Sequence, residues 1–182
     1  MKLKENAKYA LVVPTSMGVR ISPANGQPVA SSDTFFMQAT SAETNVASIA
    51  SYLGLPVHVL TAFVKDSPIS AFIKSNLRAR GMSFEGKEVP QGGPWGERHQ
   101  FNIADSGSGV RGPRVCNDRA GEVGRTMTAD DFDLEQLFVR DGVKVLHLSG
   151  LIAALSEKTS ALCLALARKA KENGTLVSFD LN

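Results

Sequence analysis

LPVHVLTAFV, residues 55–64, is an almost unbroken apolar run. A strand covered on one face alternates between apolar and polar side chains, whereas a strand covered on both faces has no such need, so this run predicts a buried strand of a parallel sheet. The flanking residues agree. Upstream, Thr40-Ser41-Ala42-Glu43 has the spacing of a capping box; Val46, Ile49, Ala50 and Leu53 then fall at i, i+3, i+4 and i+7, and Gly54 is placed to stop the helix. The pattern predicts a helix lying on a sheet through that apolar stripe. Downstream, Ser67-Pro68 supplies a hydroxyl cap and a proline at the first helical position, and Ile69, Phe72, Ile73 and Leu77 form a second stripe ending at Gly81. The local order is helix, strand, helix.

Between Phe84 and Gly124 the rhythm changes. Three short segments, 84–89, 98–104 and 114–117, are separated by Gly/Pro/Ser-rich turns, which predicts antiparallel hairpins forming a flap. Helical spacing resumes after a Thr128 cap with Phe132, Leu137 and Phe138. A strand over 143–148, a helix from Ser156 through Leu162, Ala165, Leu166 and Ala170 to Gly174, and a final strand over 175–182 complete the pattern. Such alternation predicts an α/β fold, a three-layer, doubly wound and mainly parallel sheet, because right-handed crossovers return each strand beside its neighbour. The small β-sheet lid is expected at about 14–39 and 84–124. The last strand turns polar at Asp180 and Asn182, where open α/β sheets place their ligand sites, and a strand of this kind is normally followed by more protein. The expectation is therefore the amino-terminal portion of one larger domain, incomplete at its carboxyl end.

The 182 residues are 43% hydrophobic and 21% charged, with 20 basic and 18 acidic side chains giving a net charge of +2. That balance creates no strong single-sign field, so neither nucleic acid nor a membrane surface is indicated as a partner. The apolar stretch 10–13 is far shorter than the core of a signal peptide and stops at Pro14, and no segment approaches the roughly 20 apolar residues of a membrane span. Cys116 and Cys163 form no C-x-x-C pair; two reduced thiols are expected, in keeping with a cytoplasmic chain and with no metal framework. Gly107-Ser108-Gly109-Val110-Arg111-Gly112 matches G-x-G-x-x-G, but Pro113 and a strand come next instead of a helix, so a hairpin turn is the better reading and a nucleotide-binding reductase the weaker one. His58 and His147 lie inside apolar strands and read as core or sheet-end residues. His99, beside Arg98 in the flap, reads either as part of a solvated polar face or as a contact to a polar ligand beneath.

Taken in order, several of these segments resemble the ribokinase-like (phosphofructokinase-B type) carbohydrate kinases, and among them the 2-keto-3-deoxygluconate kinases. Val19-Arg20-Ile21-Ser22-Pro23 resembles the end of the family's first strand. Ala42-Glu43-Thr44-Asn45-Val46-Ala47 with Leu53-Gly54 is similar to its sugar-side helix, and 66–81 to the helix ending Leu-Arg-Ala-x-Gly. Arg114-Val115 with Arg119 resembles the flap strand that reaches substrate, 146–150 a strand end, and Ser178-Phe179-Asp180-Leu181-Asn182 the start of a D-x-N-x-R element.

The resemblance implies an ATP-dependent, Mg2+-assisted phosphoryl transfer to a hydroxyl of a sugar or keto-deoxy sugar acid, with the small molecule bound at strand tips beneath the lid. It implies substrate contacts from Thr40, Ser41, Asn45, Arg98, His99, Asn117 and Arg119, a phosphate path near Asp180 and Asn182, and a homodimer joined through the lid. Asn45 has an amide suited to sugar hydroxyls, and Arg119 a guanidinium fork suited to a carboxylate. The competing readings are a helix-start polar residue for Asn45, a surface arginine for Arg119 and a strand-end cap for Asp180 and Asn182.

Departures from the family pattern stand beside the matches. Thr40-Ser41 occupy the place of a Gly-Gly pair, Thr15-Ser16 that of Gly-Glu, Lys65 and Ser70 that of two glycines, and Asn117 that of a tyrosine. The family's general base and anion hole belong to a late G-x-G-D motif that is absent here, so no catalytic residue is assigned within the chain and the general base is expected beyond Asn182. The alternative function is a non-enzymatic sugar-binding or regulatory relative.

Overall fold

The computed structural model describes residues 3–182. In chain order its main elements are β1 (Tyr9–Pro14), β2 (Gly18–Pro23), β3 (Phe35–Thr40), α1 (Ala42–Tyr52), β4 (Val57–Val64), α2 (Pro68–Ala79), β5 (Ser83–Val89), β6 (Gln100–Asp105), β7 (Arg114–Asp118), β8 (Val143–Ser149), α3 (Gly150–Ala153), α4 (Glu157–Glu172) and β9 (Leu176–Asp180).

Two sheets organise these elements. The larger has the order β5-β4-β1-β8-β9, every neighbouring pair parallel, as the sequence pattern predicts. Its central strands show why the LPVHVLTAFV run lacks alternation. All of β4 is buried, yet its residues still point alternately to opposite faces. Val57, Val59 and Phe63 join a core with Leu11, Val13, Ile73 and Leu77, while Leu60, Ala62 and Val64 join another with Val12, Leu146, Leu162 and Leu166. Helices α1 and α2 cover the first core and α4 the second, which gives the three layers.

Caps set the helices. Ser67 accepts from the Ile69 amide ahead of Pro68, and Ser156 accepts from the Thr159 amide in a reciprocal capping box. The Thr128 cap is also present, although the chain beyond it runs through short 3-10 turns and a π-helical turn over Gln136–Asp141 rather than a regular helix.

Four expectations are corrected. Residues 84–89 do not belong to the flap: α2 and Gly81, at φ +71°, return the chain beside β4, and β5 pairs with it in parallel as an edge of the main sheet. Residues 19–23 are not the end of the first strand, because β1 ends at Pro14 and β2 lies in the second sheet. The second sheet is also not wholly antiparallel. Its order is β3-β2-β6-β7, with β2 and β6 parallel at its centre and an antiparallel strand outside each. Finally, α1 does not bury its apolar stripe. Ile49 and Leu53 are 66% and 69% exposed, whereas Glu43, Thr44 and Ala47, roughly a quarter turn around the axis, face the sheet. Ala47 permits close approach, and the Glu43 carboxylate finds partners there that outweigh the pull of the stripe.

Smaller expectations hold. Gly107–Gly112 forms the turn between β6 and β7, with Ser108 bridged to Arg111 and the Gly107 amide donating to Asp105 Oδ1 at 2.9 Å. His58 Nδ1 meets Ser83 Oγ at 2.9 Å and His147 Nδ1 meets Ser178 Oγ at 3.1 Å, each tying an inner strand to an edge strand. Among the described residues, no helix is long and apolar enough to cross a membrane.

Candidate functional site

The carboxyl ends of β1 and β8 meet the amino-terminal turn of α1 beneath the start of β6. Thr15 and Ser16 continue β1, Ser149 ends β8, and Ser41 caps α1 by accepting from the Thr44 amide at 3.0 Å. All four side chains are buried. Among them lies Glu43, only 3% exposed. Its Oε2 accepts from Thr15 Oγ1 at 2.5 Å and its Oε1 from Ser149 Oγ. The Thr40-to-Glu43 spacing thus marks the helix start but misplaces both partners: the cap is Ser41, and the carboxylate crosses to two strand ends instead of closing on its own backbone.

Ser16, Ser41, Glu43, Gln100 and Arg119 line a small hollow, floored by Leu151, Ile152 and Leu155. Its space is about 10 Å3, enough for about one water and far below the roughly 300–1,000 Å3 of drug-sized sites. Gly18 allows the Gln100 side chain to lie across β2, since a Cβ there would fall 2.6 Å from the Gln100 carbonyl oxygen. Ser16 Oγ is buried and interacts with the Glu122 carboxylate, although outside good hydrogen-bond geometry. Arg119 Nη1 stands 3.3 and 3.2 Å from the two oxygens of Glu122, which is fully buried. Burial pushes the Glu122 carboxyl above its ordinary range against the opposing pull of Ser16 and Arg119.

Above the hollow, strand register puts Arg20, Gln38, Asn102 and Asn117 in one cross-strand row, with Gln100 two residues before Asn102 on the same face. Arg20 Nε donates to Asn102 Oδ1 at 3.1 Å, and Asn102 Nδ2 donates to Asn117. The lid therefore turns a polar palm the way Gln100 points. Another hollow, bordered by Val29, Ile103, Val115 and Cys116, lies within the lid away from the strand tips.

Of the residues singled out in sequence, Ser41 and Arg119 line the hollow. Thr40 ends β3 just before the cap, and Asn117 belongs to the palm. Asn45 is exposed one turn along α1, outside the lining. Arg98 is committed elsewhere, donating to Ala120 O at 2.6 Å and to both Asp118 oxygens at 2.9 and 3.0 Å, so it fastens the loop that carries Arg119. His99 is buried rather than facing a ligand space: Nδ1 donates to Met17 O at 2.9 Å, and Nε2 lies 2.9 Å from Ser70 Oγ and 3.4 Å from the Val64 amide. Asp180 is exposed at the end of β9, in register with Ser149, and its Oδ1 accepts from the Asn182 amide at 3.2 Å. Sequence reasoning missed Ser16, Glu43, Gln100, Asn102 and Glu122. The polar alternation Gln100-x-Asn102 was a usable signal; nothing local marks the others.

No family model matches the chain. It is 27% identical over 166 residues to a 2-dehydro-3-deoxygalactonokinase of Haloferax volcanii, a match covering 90% of this chain and 49% of that protein. The crystal structure of 2-dehydro-3-deoxygluconokinase from Thermotoga maritima superposes with a TM-score of 0.85 at 25% identity, over 96% of this chain and 51% of that one. The chain is similar to the ribokinase-like carbohydrate kinases and shares their fold. A PfkB family carbohydrate kinase from Listeria grayi gives a TM-score of 0.84 at 29% identity, over 95% and 52% of the two chains. This ribokinase-like chain thus spans about half the length of the relatives it matches.

Proposed function

We propose that the chain forms the sugar-binding part of an ATP-dependent kinase that phosphorylates a hydroxyl of a sugar or keto-deoxy sugar acid. The observation that carries this reading is the convergence of Ser16, Ser41, Glu43, Gln100 and Arg119 at parallel strand tips, beneath the polar face of a lid. Hydroxyls, an amide, a carboxylate and a guanidinium together offer the mixed donors and acceptors that a polyol requires. Asn45 and Asn117 stand at the rim of this reading, and Asp180 and Asn182 on its phosphate side.

ATP and Mg2+ enter through family resemblance. Among the described residues no group of three or more His, Cys, Asp or Glu side chains could hold a metal ion. The sequence contains no G-x-G-D motif, and phosphoryl transfer relies on positioning and charge stabilisation, so the 182-residue chain alone is proposed to transfer no phosphate. Lid-to-lid pairing into a homodimer is supported by exposed Phe36, Met37 and Val115 on lid strands. Ser41 favours the second reading, a non-enzymatic sugar binder, because its side chain fills the place of a family glycine.

A thermal-shift panel of neutral hexoses and keto-deoxy acids on the purified chain tests the binding claim; stabilisation by neither class refutes it. Incubation of the same chain with ATP, Mg2+ and each sugar tests inactivity, and any phosphorylated product refutes that part.

A further inference from the structure

Strand register separates the two faces of the lid. Gln100 and Asn102 turn toward the strand tips, so Ile103 and Asp105 of β6, with Cys116 and Arg114 directly across on β7, lie on the other face. Together with Pro28, Val29 and Ala30, from the chain between β2 and β3, they border a pocket of about 530 Å3, within the roughly 300–1,000 Å3 of small-molecule sites. It shares no lining residue with the hollow at the strand tips. Its wall is mainly apolar, which offers a polyol few partners.

Asp105, Arg111 and Arg114 bring charge to this pocket, and two of them cancel. Asp105, only 4% exposed, accepts from Arg111 Nη1 and, at 2.9 Å, from the Gly107 amide. Arg111 Nη2 donates in turn to Gly26 O at 2.9 Å, tying the turn between β6 and β7 to the chain between β2 and β3. Arg114 is different. It stands across from Asp105, whose carboxylate is already engaged, and among the described residues its guanidinium has no hydrogen-bond or ion-pair partner. The pocket therefore joins one uncommitted positive charge to apolar surface. An anion with an apolar body matches both, because a guanidinium fork suits a carboxylate and burial of the body removes apolar area from water.

We propose that this pocket binds an amphipathic carboxylate, with its aliphatic body against Val29 and Ile103 and its head group on Arg114.

The test is calorimetric titration of the 182-residue chain at pH 7.5 with octanoate, with 1-octanol, which keeps the body without the charge, and with acetate, which keeps the charge without the body. Octanoate should bind at least about tenfold more tightly than either. Arg114→Gln, at an exposed position on β7, should weaken octanoate about tenfold, and Arg114→Lys, which keeps the charge and loses the fork, should recover part of that loss. Bound octanoate should also slow modification of the exposed Cys116 by iodoacetamide several-fold, because that thiol lines the pocket. Failure of octanoate to bind, equal affinity for octanoate and 1-octanol, an unchanged octanoate affinity in Arg114→Gln, or Cys116 labelling that octanoate does not slow each overturns the proposal. So does octanoate binding that weakens as a dimer forms in sedimentation, since a second copy of the chain then occupies the pocket. Each of these results leaves the sugar-binding reading as it stands.

Discussion

Thr15 Oγ1 donates to Glu43 Oε2 at 2.5 Å, joining the end of the first strand to the first turn of a helix 28 positions away in sequence. With Ser149 Oγ on the other oxygen, the carboxylate holds β1, α1 and β8 at one point. Glu43→Ala strands two buried hydroxyls without an acceptor. A stability loss of about 1–3 kcal/mol is expected, from the usual cost of leaving buried polar groups unsatisfied. Urea denaturation measures it, and Thr15→Val added to Glu43→Ala should cost less than the sum of the two single changes because the sites share one bond.

His99 makes folding pH-dependent. Burial is the main cause that lowers its pKa in the folded chain, against the opposing effect of the Met17 carbonyl. The unfolded chain then binds more protons than the folded one between the lowered value and the unfolded value of about 6.5. Its contribution is fully present above about pH 6.5 and declines as pH falls through the unfolded value toward the folded one. Thermal unfolding at stepped pH should show this decline in the unaltered chain and a shallower one in His99→Gln.

Gly18 is needed for space. Its backbone pairs with both Thr40 and Gln100, and the Gln100 side chain passes over the place where a Cβ would stand. Gly18→Ala should displace Gln100 from the hollow and lower stability by about 1–3 kcal/mol, the common cost of overpacking. Chemical denaturation reads the stability, and loss of any sugar-induced thermal shift reads the displaced amide.

The two thiols should differ sharply in reactivity. Cys116 is exposed on β7, whereas Cys163 is buried in α4 with its pKa pushed up to about 12, by burial first and the Glu43 charge second. Thiolate is the reactive form, so a thiol reagent at pH 8 should modify one cysteine per native chain and two after unfolding. Mass spectrometry after timed labelling distinguishes the outcomes; rapid native labelling of Cys163 would contradict its placement.

The parallel main sheet, the caps at Ser67, Thr128 and Ser156, the turn at 107–112 and the structural roles of His58 and His147 were legible in the residues alone. Each depends on interactions among near neighbours or on periodic burial, and such interactions leave a mark within a short window of sequence. The family resemblance was legible for the same reason, as an ordered series of short local patterns. Placement of 84–89 beside β4, the rotation of α1 away from its apolar stripe, the hollow beneath Gln100 and the pairing of Arg119 with Glu122 were decided by tertiary structure. These arise from contacts between elements distant in sequence, or, for Arg119 and Glu122, from how a loop sits against them. A carboxylate such as Glu43 looks like an ordinary helix-start residue until the fold brings Thr15 and Ser149 to it, because burial and hydrogen-bond partners belong to the assembled chain and not to any one segment.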